Sequence, residues 1–157
     1  MAIERVRRLI EAALREAAGP EHERLKADLN EWAAAQGYPE VLRSLPSGRI
    51  PDVLRYDSEL RHLFVGDAKD ADVETTSDSA TVQRIAGYVR EFGHLLGGTQ
   101  VDGGIVAIAT NDAAEAEKWV LALNLFCVMS SITAGDDSGA DFHVIKLENK
   151  NTWIVWW

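Results

Sequence analysis

The sequence predicts an α/β domain, a mixed sheet flanked by helices, on three observations. Helical periodicity fills the first 36 residues. Three strand-like runs separated by short turns occupy roughly 40–69. Helix, strand and helix then alternate before two closing strands. A meander followed by an alternating segment gives helices layered on a mixed sheet, an α/β sandwich.

The elements follow in order. Over 3–18, Val6, Leu9, Ile10, Ala13, Leu14 and Ala17 recur at helical spacing. Gly19-Pro20 stops that helix and starts the next, with Gly as a C-terminal stop and Pro in a first turn. The second helix, about 20–36, is expected to bury Leu25, Leu29, Trp32, Ala33 and Gln36, and Gly37 closes it. The period then changes. "EVLRSLP" is a short strand and "SGR" a turn. "IPDVLRYD" is a second strand with Pro51 near its start, where a missing N–H is tolerated. "SEL" reverses the chain into "RHLFVGDAK", and the three strands form an antiparallel meander. "DADVETTSDS" is a polar loop in which Thr76, Ser77 or Asp78 caps a helix running to about 96. "IVAIAT" is a continuous apolar strand of the kind buried on both faces. Asn111 or Asp112 caps a helix through about 129, "TAGDDSGAD" is a loop, and "FHVIKLE" and "TWIVWW" are the last strands. Both faces of "TWIVWW" are apolar, which predicts burial or a dimer contact.

Composition narrows the class. The 157 residues suit one domain with a real core. No apolar run reaches the length of a membrane span. The N-terminus is basic at first, but its interspersed acidic residues and helical period argue against a signal or transit peptide. Cys127 is the one cysteine. It lies in the apolar run "LALNLFCVM", so the reading is a buried thiol, no intramolecular disulfide and a cytoplasmic setting. The net charge of −9 speaks against nucleic acid at first. It is unevenly spread, however. Residues 1–69 carry 11 Lys/Arg against 12 Asp/Glu, and residues 70–157 carry 5 against 13, so basic surface is concentrated in the first half.

One stretch carries chemistry: "IPDVLRYDSELRHLFVGDAKDA", Ile50 to Ala71. It sets Asp67 and Lys69 two apart at the end of an apolar strand, with Asp52 on the preceding one. Alternation puts Asp67 and Lys69 on one face. Clustered carboxylates against a core need a compensating cation. Hard divalent ions prefer carboxylates and water, and they neutralise the charge that builds up in phosphodiester hydrolysis. The bland alternative for Asp67 and Lys69 is a solvated i, i+2 ion pair of little energetic value.

Pro51-Asp52 followed by Asp67-Ala68-Lys69 resembles the motif of the PD-(D/E)XK nuclease superfamily, the restriction-endonuclease-like phosphodiesterases. The resemblance covers roughly 20–110, with the motif on the second and third strands of a helix–meander–helix–strand core. It implies one restriction-endonuclease-like three-layer sandwich over 1–157, with 1–19 as an additional helix and 111–157 as a C-terminal helix and strands. It implies Mg²⁺, with Mn²⁺ as substitute, on Asp52, Asp67 and the Ala68 carbonyl, and Lys69 orienting the nucleophile. Many members add a carboxylate from the first core helix. Glu21 and Glu23 compete for that place, and Glu21, one turn before Leu25, is the better aligned; its alternative role is to favour the helix N-terminus. Some exonucleases of the family carry Gln and Tyr four apart. Here Gln83 and Tyr88 are five apart and diverge by about 140°, which departs from the exonuclease pattern. Gln83 still assists in this reading, and Arg49, Arg84 and Arg90 contact phosphate.

The expectation is therefore a metal-dependent nuclease acting on nucleic acid, DNA first. Endonuclease is favoured over exonuclease, and a homodimer or a delivering partner protein accompanies it. The competing expectation is a non-catalytic protein-binding α/β module with a coincidental motif.

Overall fold

The computed structural model of the protein describes residues 2–9, 19–45, 50–73, 79–91, 101–129 and 142–157. The proposed caps at 76–78, Arg49 and the loop at 133–141 lie outside these, as does the side chain of Arg90. Within them the chain runs through helix α1 (2–9), α2 (Pro20–Ala35), β1 (Glu40–Val41), β2 (Val53–Asp57), β3 (His62–Lys69), α3 (Ser79–Glu91), β4 (Gly103–Thr110), α4 (Ala113–Met129), β5 (His143–Lys146) and β6 (Trp153–Trp156).

The six strands form one mixed sheet in the order β1-β2-β3-β4-β6-β5. β1, β2 and β3 are the antiparallel meander. β3 and β4 are parallel, as a strand–helix–strand crossover through α3 requires. β6 sits between β4 and β5, antiparallel to both. That interior place explains its two apolar faces, for Ile154 and Val155 are fully buried.

Alternation along β3 sorts the core into two layers. Phe64 and Ala68 face α2, packing with Leu25, Leu29 and Ala33. Leu63 and Val65 face the other way, toward Ile85 and Ala86 of α3 and Trp119 and Leu123 of α4. Helices thus cover both faces, as the sequence pattern predicts. Cys127 is buried in the α3/α4 layer.

Local signals behave as elementary chemistry demands. Gly19 is the N-cap of α2 with Pro20 behind it, and Gly37, at φ +99°, ends the helix in a conformation that favours glycine. Asp112 caps α4 by accepting a hydrogen bond from Glu115 N–H at 2.9 Å. Asn111 does something else. It donates to Asp70 Oδ1 at 3.1 Å and accepts from Ala71 N–H at 2.9 Å, tying the chain beyond β3 to the end of β4. β1 is shorter than expected, two residues at the sheet edge.

Gly66 has a packing explanation. A Cβ there would stand 2.7 Å from Leu29 Cδ2 and 3.1 Å from Phe64 Cε1. The missing side chain lets α2 settle closely onto β3, which fixes where the N-terminal end of α2 meets the sheet.

Candidate active site

The carboxyl ends of the parallel strands β3 and β4 lie side by side, with Lys69 in register with Thr110. In open α/β sheets this is the usual place for ligands, where the loops part and backbone groups face outward. Asp67 and Lys69 share the β3 face that carries Leu63 and Val65, and both are 4 % exposed. Lys69 Nζ lies 4.0 Å from Asp67 Oδ2. From α3, Arg84 donates to the same oxygen at 3.2 Å. The two charged side chains of β3 are therefore buried against the core rather than a solvated pair.

Asp52 stands one residue before β2, not within it. Its backbone N–H donates to Asp67 Oδ1 at 3.2 Å. Its own Oδ2 accepts from Ala68 N–H at 2.9 Å. The strand ladder thus gives way to side-chain bonds where the motif begins, and these hold the two carboxylates beside one another. In an antiparallel pairing a residue's N–H and C=O face the same neighbour, so the Ala68 carbonyl leaves toward the Asp52 edge as well.

Burial pushes the Asp67 carboxyl above its ordinary range. The Lys69 ammonium draws it back, the neighbouring Asp52 raises it further, and Arg84 and the Asp52 N–H lower it. Such a group is held ionised most readily when a further cation joins it.

The helix side of the site differs from the expectation. His22, buried at 6 %, is the α2 side chain that reaches Asp52, with Nε2 3.2 Å from Asp52 Oδ2. Its Nδ1 is buried without a hydrogen-bond partner, Glu23 Oε1 standing 3.8 Å away. Glu21 lies on the opposite flank of the buried stripe and is ion-paired with Arg24. Arg24 also donates to Thr152 Oγ1 at 2.8 Å, to Asn151 O at 3.0 Å and to Asp28 Oδ2 at 3.2 Å. Asp28 accepts from the Thr152 hydroxyl at 2.6 Å and from Lys150 at 3.2 Å. Glu21 thus belongs to a network that seats the β5–β6 turn on α2. Alignment with Leu25 is what favours Glu21 in the sequence. His22 flanks the same stripe, three residues before Leu25 and seven before Leu29. The sequence places it within reach of substrate, but a lone histidine carries no catalytic role on periodicity alone.

On α3, Gln83 is exposed whereas Tyr88 is 2 % exposed and packed in the core, the divergence that their five-residue spacing dictates. Arg84, assigned to phosphate by the sequence, contacts Asp67 instead. Thr110, fully buried on β4 with an unpartnered hydroxyl, is a further polar group at this strand end that the sequence reading passed over.

Asp52 and Asp67 suit a hard cation in kind: oxygen donors, adjacent, one of them buried with a raised pKa. They do not suit it in number. Among the described residues no three His, Cys, Asp or Glu side chains are gathered as a metal cluster. Water or substrate oxygens must supply the remaining ligands, as Mg²⁺ commonly accepts. No described helix is long and apolar enough to cross a membrane. Compared with known proteins, the chain matches no family model, no curated protein and no solved structure.

Proposed function

We propose that this protein is a metal-dependent nuclease of the restriction-endonuclease-like type, hydrolysing phosphodiester bonds, in DNA first. The observation that supports it is the gathering of Asp52, Asp67 and Lys69 at the carboxyl end of β3, with Asp67 and Lys69 almost wholly buried on one face. A buried lysine–carboxylate pair costs desolvation that simple packing does not repay; a phosphate and its counter-ion would use both charges. Mg²⁺ or Mn²⁺, when bound, supplies the positive charge that offsets the phosphate and the departing oxygen. Asp52 and Asp67 would hold it, with the Ala68 carbonyl beside them. Lys69 keeps its ammonium toward the same space, where it orients the attacking water and stabilises charge on the phosphoryl oxygens. His22 fixes the orientation of Asp52 through Nε2. Arg84, released from Asp67, can pair with a phosphate oxygen. A cytoplasmic setting accords with the single buried thiol Cys127.

The test is cleavage of supercoiled plasmid, linear duplex and single-stranded DNA with Mg²⁺, Mn²⁺ or EDTA, comparing the wild type with Asp67→Ala and Lys69→Ala. Metal-dependent cutting that both variants lose while retaining their circular dichroism is the expected result. Cutting of nothing, or cutting that survives in Asp67→Ala, removes the reading.

A second reading has its own observation. Leu121, Leu125, Val128 and Met129 leave an apolar stripe exposed along α4. A non-catalytic domain that docks another protein by this face would show it. Metal-induced stabilisation separates the two. At one hundred times its dissociation constant a specific ion stabilises by about 2.7 kcal/mol, a Tm rise of roughly 5–10 °C for a chain this size. A docking module shows no such rise.

A further inference from the structure

A groove of about 430 Å³ opens beside Asp52, between α2 and the β1–β2 edge of the sheet. One wall is an α2 stripe on which Lys26 and Asn30 follow Glu23 at helical spacing; the other carries Val41 and Arg43, with Ile50 at the rim. From the Asp52 end to Asn30 the helix wall rises about 10 Å. Three features give the groove a chemical character. Lys26 and Arg43 place a cation on each wall, while the two carboxylates of the lining, Glu23 and Asp52, stand together at the Asp52 end. Val41 and Ile50 are 70 % and 77 % exposed, apolar side chains set at the opening. Behind Asn30 lies Arg55, itself 9 % exposed, whose guanidinium donates to Tyr38 O at 2.6 Å, Asn30 Oδ1 at 3.0 Å and Pro39 O at 3.2 Å. All three acceptors are neutral, so the positive charge of Arg55 persists behind the wall. Because Arg55 claims the Asn30 carbonyl oxygen, the Asn30 amide turns its N–H donors the other way.

Cations on both walls, amide donors and apolar rim groups fit a strand of alternating phosphates and bases. The dimensions fit one strand only. A duplex keeps its phosphates on a rod far wider than a cleft bounded by one helix and an edge strand, whereas an unpaired strand can lay its backbone on Lys26 and Arg43 and its bases on apolar side chains. We propose that this groove binds an unpaired nucleic-acid strand and feeds it to Asp52, so that the substrate is single-stranded or locally unpaired. This rests on the nuclease reading above and names the substrate form that reading leaves open.

The test is fluorescence anisotropy in EDTA with labelled oligothymidylate, oligouridylate and a blunt DNA duplex of equal length, for the wild type, the double variant Lys26→Glu/Arg43→Glu and the milder Lys26→Gln/Arg43→Gln. The wild type should prefer either single strand to the duplex. The Gln pair should weaken binding about tenfold and reduce the slope of log affinity against log salt by about 1.4, two lost phosphate contacts on a single strand. The Glu pair should weaken it further. Comparison of the two oligomers decides DNA against RNA. Equal or tighter binding of duplex, no binding of either strand, or affinity unchanged in both double variants overturns the proposal. KM for metal-dependent cleavage keeps the two readings apart. Strand binding through the groove with no cutting defeats the nuclease reading alone. Cutting with KM unchanged in both double variants defeats the groove alone.

Discussion

Replacing Asp67 by an asparagine isolates the electrostatic character of the site without removing its shape. Asp67 is 4 % exposed, and burial raises its pKa from the ordinary 3.8 despite the opposing pull of Lys69 and Arg84. Between 3.8 and the native value, the folded protein keeps a proton that the unfolded chain has released. The unfolding free energy must then fall as pH rises, by up to about 1.4 kcal/mol per pH unit from this group alone. Its favourable contribution is complete below the unfolded pKa and lost once pH passes the native one. The amide of the Asp67→Asn variant does not titrate, so the difference between wild type and variant should decline from about pH 4 upward and then level off. Urea denaturation of both proteins in EDTA across this range, at constant m-value, measures it. Repeating the series in Mg²⁺ should shrink the decline, because a bound cation favours the ionised carboxylate. A difference that instead grows with pH would refute the reasoning: Lys69 and Arg84 would then outweigh burial and hold the carboxyl below 3.8.

Three further outcomes are expected. Gly104→Ala should cost at least about 3 kcal/mol in urea denaturation or prevent folding, because at φ +158° its Cβ would lie 1.9 Å from the Leu63 carbonyl oxygen on the paired strand; a midpoint close to wild type would contradict this geometry. Gly66→Ala should cost about 1–2 kcal/mol, since its closest clash is with the movable end of Leu29, with Phe64 Cε1 next at 3.1 Å, and Leu29→Ala should cost about 2–5 kcal/mol. In the double variant the two should fall short of additivity, and strict additivity would mean that the side chains do not compete for the same space. His22→Ala should weaken Mn²⁺ binding in calorimetry while Glu21→Ala leaves it unchanged and instead lowers thermal stability modestly, by about 0.5–1 kcal/mol; the reverse pattern would restore Glu21 to the site.

Much of the architecture was legible because it rests on short-range physics. The helical spacing of Leu25, Leu29 and Ala33, the Gly19-Pro20 boundary and the β-branched run before Thr110 each specify an element within a few residues. The motif was legible too, since alternation alone puts Asp67 and Lys69 on one face of β3. Strand order was not, because the insertion of β6 between β4 and β5 depends on which edge remains open once β3 and β4 have paired.

The ambiguities at the site have the same origin. Glu21 and His22 flank one buried stripe, and helix periodicity cannot say which flank meets Asp52. That is set by the angle and depth at which α2 crosses β3, and hence by Leu29 filling the space over Gly66. Arg84 and Gln83 are adjacent on α3, and the packing of Ile85 and Tyr88 decides which of them turns toward Asp67. The sequence by itself determined which residue types would carry charge, and on which strand face, because those follow from local period and covalent geometry. Only the tertiary structure decided which helix side chains meet them, because that depends on how two layers of packed side chains settle against the two faces of one sheet.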